Sequence, residues 1–452
     1  MSMIKKFGVL VLILAMLVSI VAGCSSASTT TAASASESSA GTNETTVAPT
    51  ETEPGPVTID IGMHVANPEE QESTTWQIIQ AFKAKYPYIT VNLIAADTDT
   101  HVQNMKMAAQ AGSLPDVFWM LPATAKEMAS AGYLLDLKEY MAQNTDQMTK
   151  LADNMKEASN LDGFQFGLPY QPLITGLWYN KALFKQYNVE EPVAGTTFSQ
   201  LLDMVKVFND NGIPTIAQGA KSPFSVWAFL IGYARYGYFD KIDAIQAGTE
   251  KWNNPDFIKY YEKIAQLRDA GAFPKNIAIT DYFESVQSFL DGKVAMLDAG
   301  IWAAGDVSNA LGEDAGFWWG PVFEDGIGNQ KVRMKVSSAP WVVSKDVEKD
   351  PAVQAAVFKF LDFYYSDEAA QISLDTLVVP SIDFNGKSSQ NSPAFNAVLE
   401  QLALPDWVSP VAQPDLVIPE AQQNAMYDSI YGVMVGTYTP EKALDVIDAK
   451  TK

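Results

Sequence analysis

Very few side chains in this chain could act as nucleophiles or metal ligands. Its 452 residues include one cysteine, Cys24, and two histidines, His64 and His101. A single thiol makes neither an intramolecular disulfide nor a cysteine zinc knuckle. A Ser-His-Asp hydrolase would have to use one of the two imidazoles. No cofactor and no metal site is implied. Carboxylates are plentiful, with 53 Asp and Glu. A pair such as Asp298 and Glu324 could supply glycosidase-type acid and base, but that chemistry needs a separation of about 5 to 10 Å, which nothing in the sequence sets. Aromatic rings are the more telling resource: 10 Trp, 18 Tyr and 22 Phe. A pyranose has an apolar face of C–H groups and a rim of hydroxyls. Flat rings that stack, with amides or carboxylates that hydrogen-bond in pairs, therefore make a sugar site.

Charge and length narrow the partners. Lys and Arg total 31, so the formal net charge is −22, and such a surface repels phosphate backbones, which argues against nucleic acid. Hydrophobic residues at 47% and charged residues at 19% fit an ordinary soluble protein, not a disordered chain or a polytopic membrane protein. The length allows two or three domains or one large α/β body.

Lys5 and Lys6 precede an uncharged apolar run from Phe7 to Val21, which reads as a signal peptide rather than a spanning helix. The run ends in Val21-Ala22-Gly23-Cys24, with small residues directly before the sole cysteine. That ending resembles the lipobox of bacterial lipoproteins. The resemblance implies that residues 1–23 are removed and that Cys24, lipidated on its thiol, anchors the mature chain at the outer face of the cytoplasmic membrane. Beyond it, 15 of the 32 residues from Ser25 to Pro56 are Ser or Thr, and none is Lys, Arg or a large aromatic. This stretch cannot bury enough apolar surface to order itself, so 24–56 reads as a lipidated cysteine and a disordered tether of the kind found on Gram-positive lipoproteins. The body, 57–452, keeps a charge of −20, which we read as a solubility feature.

The elements that must position any site alternate between strands and helices. Val57 to His64 alternates like a strand, and Trp76, Ile79, Phe82 and Tyr86 are spaced as on one helix over about 68–86. Ile89–Ile94 reads as a second strand, 101–111 as a helix and Pro115–Trp119 as a short buried strand. Such alternation specifies a parallel sheet covered by helices. Further along, Thr197-x-x-Gln200 is a capping box, and Asn254-Pro255, Asp350-Pro351 and Thr439-Pro440 each open a helix, the first of these stopping near Gly271. No fixed-period repeat is visible.

Several segments, in order, resemble the extracellular solute-binding proteins of family 1, the maltose-binding-protein-like lipoproteins that serve sugar ABC importers. Ala111-Gly112-Ser-Leu-Pro115-Asp116-Val117 and Ala131-Gly132-Tyr-Leu-Leu-Asp136-Leu137 look like their first lobe. Gly167-Leu-Pro169-Tyr170 with Leu177-Trp-Tyr179-Asn180-Lys181 resembles the crossover. Phe289-x-x-Gly292-Lys293-Val-Ala295-Met296-x-x-x-Gly300-x-Trp302 resembles the second-lobe motif, and Trp341-Val-Val-Ser-Lys345 with Phe360–Gln371 resembles the return segment. Where that family often carries paired glycines, this chain has Ser337-Ser338-Ala339-Pro340. No Asp-Lys pair accompanies His64, so maltodextrin specificity is not assumed.

The resemblance implies a two-lobed periplasmic-binding-protein fold, a Venus flytrap of class α/β, closing by hinge motion around its ligand. The expected division is 57–172 and 325–377 for lobe 1, with 173–324 and 378–452 for lobe 2. It also implies a monomeric, lipid-anchored receptor, not an enzyme, that captures a sugar and delivers it to ABC permease subunits. Open α/β sheets bind at the carboxyl ends of their strands, which nominates His64, Trp119 and Tyr170. Trp302 matches the stacking tryptophan of the family, and Trp227 and Trp341 fall where it contributes aromatics. Asn67 and Asp298 are the expected polar partners. Competing readings are a lipid-anchored glycoside hydrolase, a surface adhesin and a binder of a non-sugar solute.

Overall fold

The computed structural model describes residues 55–451. The expected signal peptide, Cys24 and all of the tether except Gly55 and Pro56 lie outside the described residues. Among those described, ten strands build two five-stranded sheets. They are β1 (Val57–Met63), β2 (Ile89–Ala95), β3 (Val117–Trp119), β4 (Leu168–Pro169), β5 (Pro172–Asn180), β6 (Ile216–Ala217), β7 (Met296–Gly300), β8 (Ala315–Trp318), β9 (Met334–Ser337) and β10 (Pro340–Val343).

The first sheet has the order β2-β1-β3-β10-β4. β1 pairs in parallel with β2, Val57 opposite Ile89, and with β3, Ile61 opposite Val117. β10 returns antiparallel, with Trp341 opposite Trp119 and Pro340 opposite Pro169. Helices Ser73–Lys85, Thr98–Ala111 and Pro351–Tyr364 cover it, supplying Ile79, Phe82, Met105 and Phe360 to one core. The second sheet runs β8-β5-β7-β6, with β9 also on β5. β5 shows why it is a central strand: Leu177 and Tyr179 enter one hydrophobic cluster while Ile174 and Trp178 enter another. Alternate residues point to opposite faces, so this sheet is buried on both sides, which suits the apolar residues Ile174, Leu177, Trp178 and Tyr179 that the strand carries on both faces.

The local helix signals hold in detail. Thr197 and Gln200 form a reciprocal capping box, and Asn254, Asp350 and Thr439 each accept first-turn amides ahead of a proline. The helix from Pro255 ends at Asp269, and Gly271 follows at φ 81°, left-handed backbone that glycine adopts without strain. The helix expected over about 68–86 is broken in two, Pro68–Gln71 and Ser73–Lys85, at Glu72 with φ −137° and ψ 52°.

Two stretches depart from the expected division into lobes. β9 pairs antiparallel with β5, Ser337 opposite Pro172, so 334–337 belongs to the second sheet and the chain returns to the first lobe only at Ala339. Leu374 and Val379 also pack into a second-lobe cluster, ahead of the 377/378 boundary in one case, while Ile382 packs back into the first.

Candidate ligand-binding site

Strand direction decides which edges face each other. β1, β3 and β4 end at one edge of the first sheet, where antiparallel β10 begins. In the second sheet β6, β7, β8 and β9 end at the edge where β5 begins. Only Tyr170-Gln171 joins β4 to β5, and only Ser338-Ala339 joins β9 to β10. The carboxyl edges of both sheets therefore meet at two short crossovers. These are bonded side by side: the Tyr170 amide donates to the Ala339 carbonyl at 3.1 Å, and the Ser338 amide and hydroxyl donate to the Gln171 carbonyl at 3.1 and 2.8 Å. The serine standing where glycine was the family expectation thus adds a bond across the hinge. A third crossing leans on the same place, where Tyr364 and Ser381 donate to the Tyr170 carbonyl.

On the first-lobe edge, the ring of His64 stacks on Trp119 with centroids 3.9 Å apart and planes 12° from parallel. Tyr170 stands edge-on to His64 at 5.7 Å. Its hydroxyl donates to Glu72 Oε2 at 2.9 Å and lies 2.6 Å from Thr75 Oγ1, while Gln171 Nε2 also donates to Glu72. The break at Glu72 turns that carboxylate from a helix face toward the crossover. Burial raises the Glu72 pKa, and the Tyr170 and Gln171 bonds oppose the rise. His64 is pushed down to about 4 by burial and then by His101, so at neutral pH it is an uncharged ring 3.6 Å from Glu72.

On the second-lobe edge, Trp302 follows β7 and is 47% exposed. Its indole N–H donates to the Tyr282 hydroxyl at 2.7 Å, and its ring meets Trp227 edge-to-face at 4.9 Å. The ring lies directly over Gly300, where a Cβ would come within 2.0 to 2.5 Å of three ring atoms, so only glycine admits this placement. Trp227 opens the helix Trp227–Ala234, whose cap residue Val226 offers no side-chain acceptor. Asp298 of β7 supplies it, accepting from the Ala228 amide at 2.8 Å and from Gln218 Nε2 at 2.8 Å. Tyr431 in turn donates to Gln218 Oε1 at 2.8 Å. Burial raises the Asp298 pKa to about 8 against these two bonds.

The nominated residues thus divide. His64, Trp119 and Tyr170 come together on one edge, and Trp227 and Trp302 on the other. Two expectations are corrected. Trp341 has no exposure and packs edge-on to Tyr170 and Phe360 as first-lobe core, because its side of β10 faces the helix Pro351–Tyr364. Asp298 is buried, with each oxygen accepting from the protein, so it orients the Trp227 helix from the core instead of lining open space. Asn67 is exposed and makes its bond through the backbone amide to Gln71. Glu324, the imagined acid–base partner of Asp298, accepts from the Ser199 amide at the start of the helix Phe198–Asp210. Glu72, Gln171, Phe224, Tyr282 and Phe283 were not nominated. The box Asp281-x-x-Glu284, which opens the helix Tyr282–Leu290, was the available signal for the last two. Among the described residues, no group of three or more His, Cys, Asp or Glu is placed to hold a metal ion, and no helix is long and apolar enough to cross a membrane.

Two α/β lobes on short crossovers, with aromatic edges facing across them, define a two-lobed binding protein. The model of the bacterial extracellular solute-binding protein family matches residues 66–371. This chain belongs to that family. It is 23% identical over 247 residues to the multiple sugar-binding protein of Streptococcus mutans, covering 52% of this chain and 56% of that protein. It is 24% identical over 252 residues to the maltodextrin-binding protein of Bacillus subtilis, covering 53% and 56%. The chain spans about half the length of the curated relatives it matches. In fold it is similar to a probable secreted solute-binding lipoprotein from Streptomyces coelicolor, with a TM-score of 0.72 at 17% identity over 87% of this chain and 98% of that one.

Proposed function

We propose that this protein captures a sugar or oligosaccharide between its two lobes, without catalysis, and delivers it to the transmembrane subunits of an ABC importer. The observation that carries the reading is the half-exposed Trp302 with Trp227 and Tyr282 at the carboxyl edge of the second sheet, across the crossovers from the His64–Trp119 stack. Open indole faces suit the C–H face of a pyranose. Glu72 and Gln171 stand beside the hinge as partners for hydroxyls, and the names of the multiple sugar-binding and maltodextrin-binding relatives support the same substrate class. Anchoring through lipidated Cys24 at the outer face of the cytoplasmic membrane, in a Gram-positive cell and as a monomer, completes the reading.

Ligand that binds only the folded state raises the unfolding temperature. A thermal-shift panel of mono- and oligosaccharides should therefore show stabilisation by one or a few, and Trp302→Ala should sharply reduce it at the same ligand concentration. A panel in which no sugar acts but a peptide or polyamine does would sink the sugar reading, and release of new reducing ends would turn the protein into a hydrolase. For the anchor, Cys24→Ala should move the protein from the membrane fraction to the medium.

A further inference from the structure

Behind the hinge, one residue holds a backbone conformation that its type avoids. Among the described residues, four other than glycine have positive φ: Asp162, Asn188, Leu377 and Asp406. Asp and Asn visit left-handed backbone readily, because their short polar side chains bond locally. Leucine has no such compensation, and its Cβ crowds the following carbonyl. At φ 62°, Leu377 is the strained member of the four.

The strain has a local origin and a long-range restraint. The helix Asp367–Asp375 ends in a turn where the Val378 amide donates to the Ser373 carbonyl at 2.8 Å and the Leu377 amide to the Leu374 carbonyl at 3.1 Å. Such a turn takes a left-handed residue at this position, where glycine is the usual choice. The leucine side chain is instead partly buried against the second-lobe cluster that includes Trp178 and Leu297. Thr376, one residue earlier, is tied to the other lobe. Its hydroxyl lies 2.8 Å from that of Thr74, at the start of the helix Ser73–Lys85. Adjacent residues are thus fastened to opposite lobes, with the strained φ between them. Backbone strain persists only where its surroundings over-determine it, and here those surroundings are the two lobes.

The third crossing also has room to turn. Thr74, Gln171, Val378, Val379 and Ser381 line a small cavity between it and the first crossover, whereas a close-packed interior would resist displacement. The lobes are drawn together in this structure. On the cleft side the helix Pro122–Ser130, which follows β3, comes within 8 Å, Cα to Cα, of the second-lobe turn Pro414–Val417.

We propose that Leu377 is a positioning residue for ligand capture: its left-handed backbone is a spring that opposes the drawn-together arrangement, so that this arrangement is less populated without ligand than glycine at 377 would make it. The proposal rests on the two-lobed fold and is independent of which solute binds.

The test is the separation of spin labels at Lys106→Cys and Glu420→Cys, one exposed position on each lobe, measured by double electron–electron resonance in the full chain carrying Cys24→Ser. Without ligand, Leu377→Gly should raise the population at the short separation, relative to the long one, by about five- to thirtyfold. Leu377→Asn, which also tolerates left-handed backbone, should shift it in the same direction. Leu377→Ala removes the packing but keeps the Cβ, so it should not raise that population. Equal distributions for the wild type and the glycine variant would overturn the proposal. So would an alanine variant that matches glycine, because a leucine with a merely structural role acts through its packing. Where a sugar of the thermal-shift panel binds, Leu377→Gly should also lower its dissociation constant. A panel in which no sugar binds sinks the sugar reading alone, and the label distances still decide the pivot.

Discussion

The two edges that face each other across the hinge carry the same kinds of residue in opposite states. On the first-lobe edge the aromatic faces are already occupied: His64 covers Trp119, Tyr170 is buried, and its hydroxyl is saturated by Glu72 and Thr75. On the second-lobe edge only the polar end of Trp302 is satisfied, and its face, like those of Phe224 and Phe283, is open. A ring buried among its neighbours contributes to folding, whereas a ring left in water has its apolar surface in reserve for a partner. The first lobe thus presents a pre-packed wall with polar groups near the hinge, and the second presents open aromatic surface, which under the proposed function is where a ligand would first settle.

The same substitution should therefore give opposite readouts on the two sides. Trp341→Ala empties a fully buried site in the first-lobe core and should cost about 3 to 5 kcal/mol of stability in chemical denaturation. Trp302→Ala should cost less than about 1 kcal/mol of stability but about 2 kcal/mol of ligand affinity, roughly thirtyfold. A stability loss at Trp302 as large as that at Trp341 would erase the distinction between the edges.

The two edges should also respond to pH with opposite slopes. The folded-state pKa of His64 is depressed from 6.5 to about 4, so the unfolded chain takes up this proton first and stability is lost as pH falls from about 6.5 toward 4. Glu72, raised by burial, offsets part of that loss. Asp298 is raised from 3.8 to about 8, so its contribution is full below about 4 and is lost as pH rises through 8. Denaturation series between pH 4 and 9 should show His64→Gln flattening the acid side by about 1 to 2 kcal/mol, and Asp298→Asn gaining on the wild type as pH rises. If either variant parallels the wild type throughout, that group is not the one titrating.

The smallest effect is expected at Gly300. A methyl group there collides with the Trp302 ring, so Gly300→Ala should weaken ligand binding by about 1 kcal/mol with little change in the fold. Equal affinity for the variant would mean that the ring can shift without loss.

Local features were the legible part of this molecule. Thr197-x-x-Gln200, Asn254-Pro255, Asp350-Pro351 and Thr439-Pro440 open the helices they announce, because a cap is made by residues within three positions of one another. The end of the first strand was legible within a residue from its alternation, β1 closing at Met63 beside His64, whereas the crossover at Tyr170 came from the family resemblance, β4 closing at Pro169. The orientation of Trp341 was not. A strand buried on both sides reads apolar throughout, and only the helix packed against it decides which faces are core. Asp298 next to the Gly300–Trp302 motif looked like a ligand contact, yet its partners, Gln218 and Ala228, lie 80 and 70 positions away. The pairing of β9 with β5 was hidden for the same reason, with Ser337 meeting Pro172 across the length of the second lobe.

The amino-acid sequence by itself determined that this is an acidic, aromatic-rich α/β protein, and it assigned the family through ordered short motifs. Those properties depend on composition and on neighbours a few residues apart. Only the tertiary structure decided which tryptophans are core and which face open space, which carboxylate orients a helix, and where the lobes divide. Each of these depends on residues brought together from distant parts of the chain, and exposure is a property of that assembled neighbourhood rather than of the residue type.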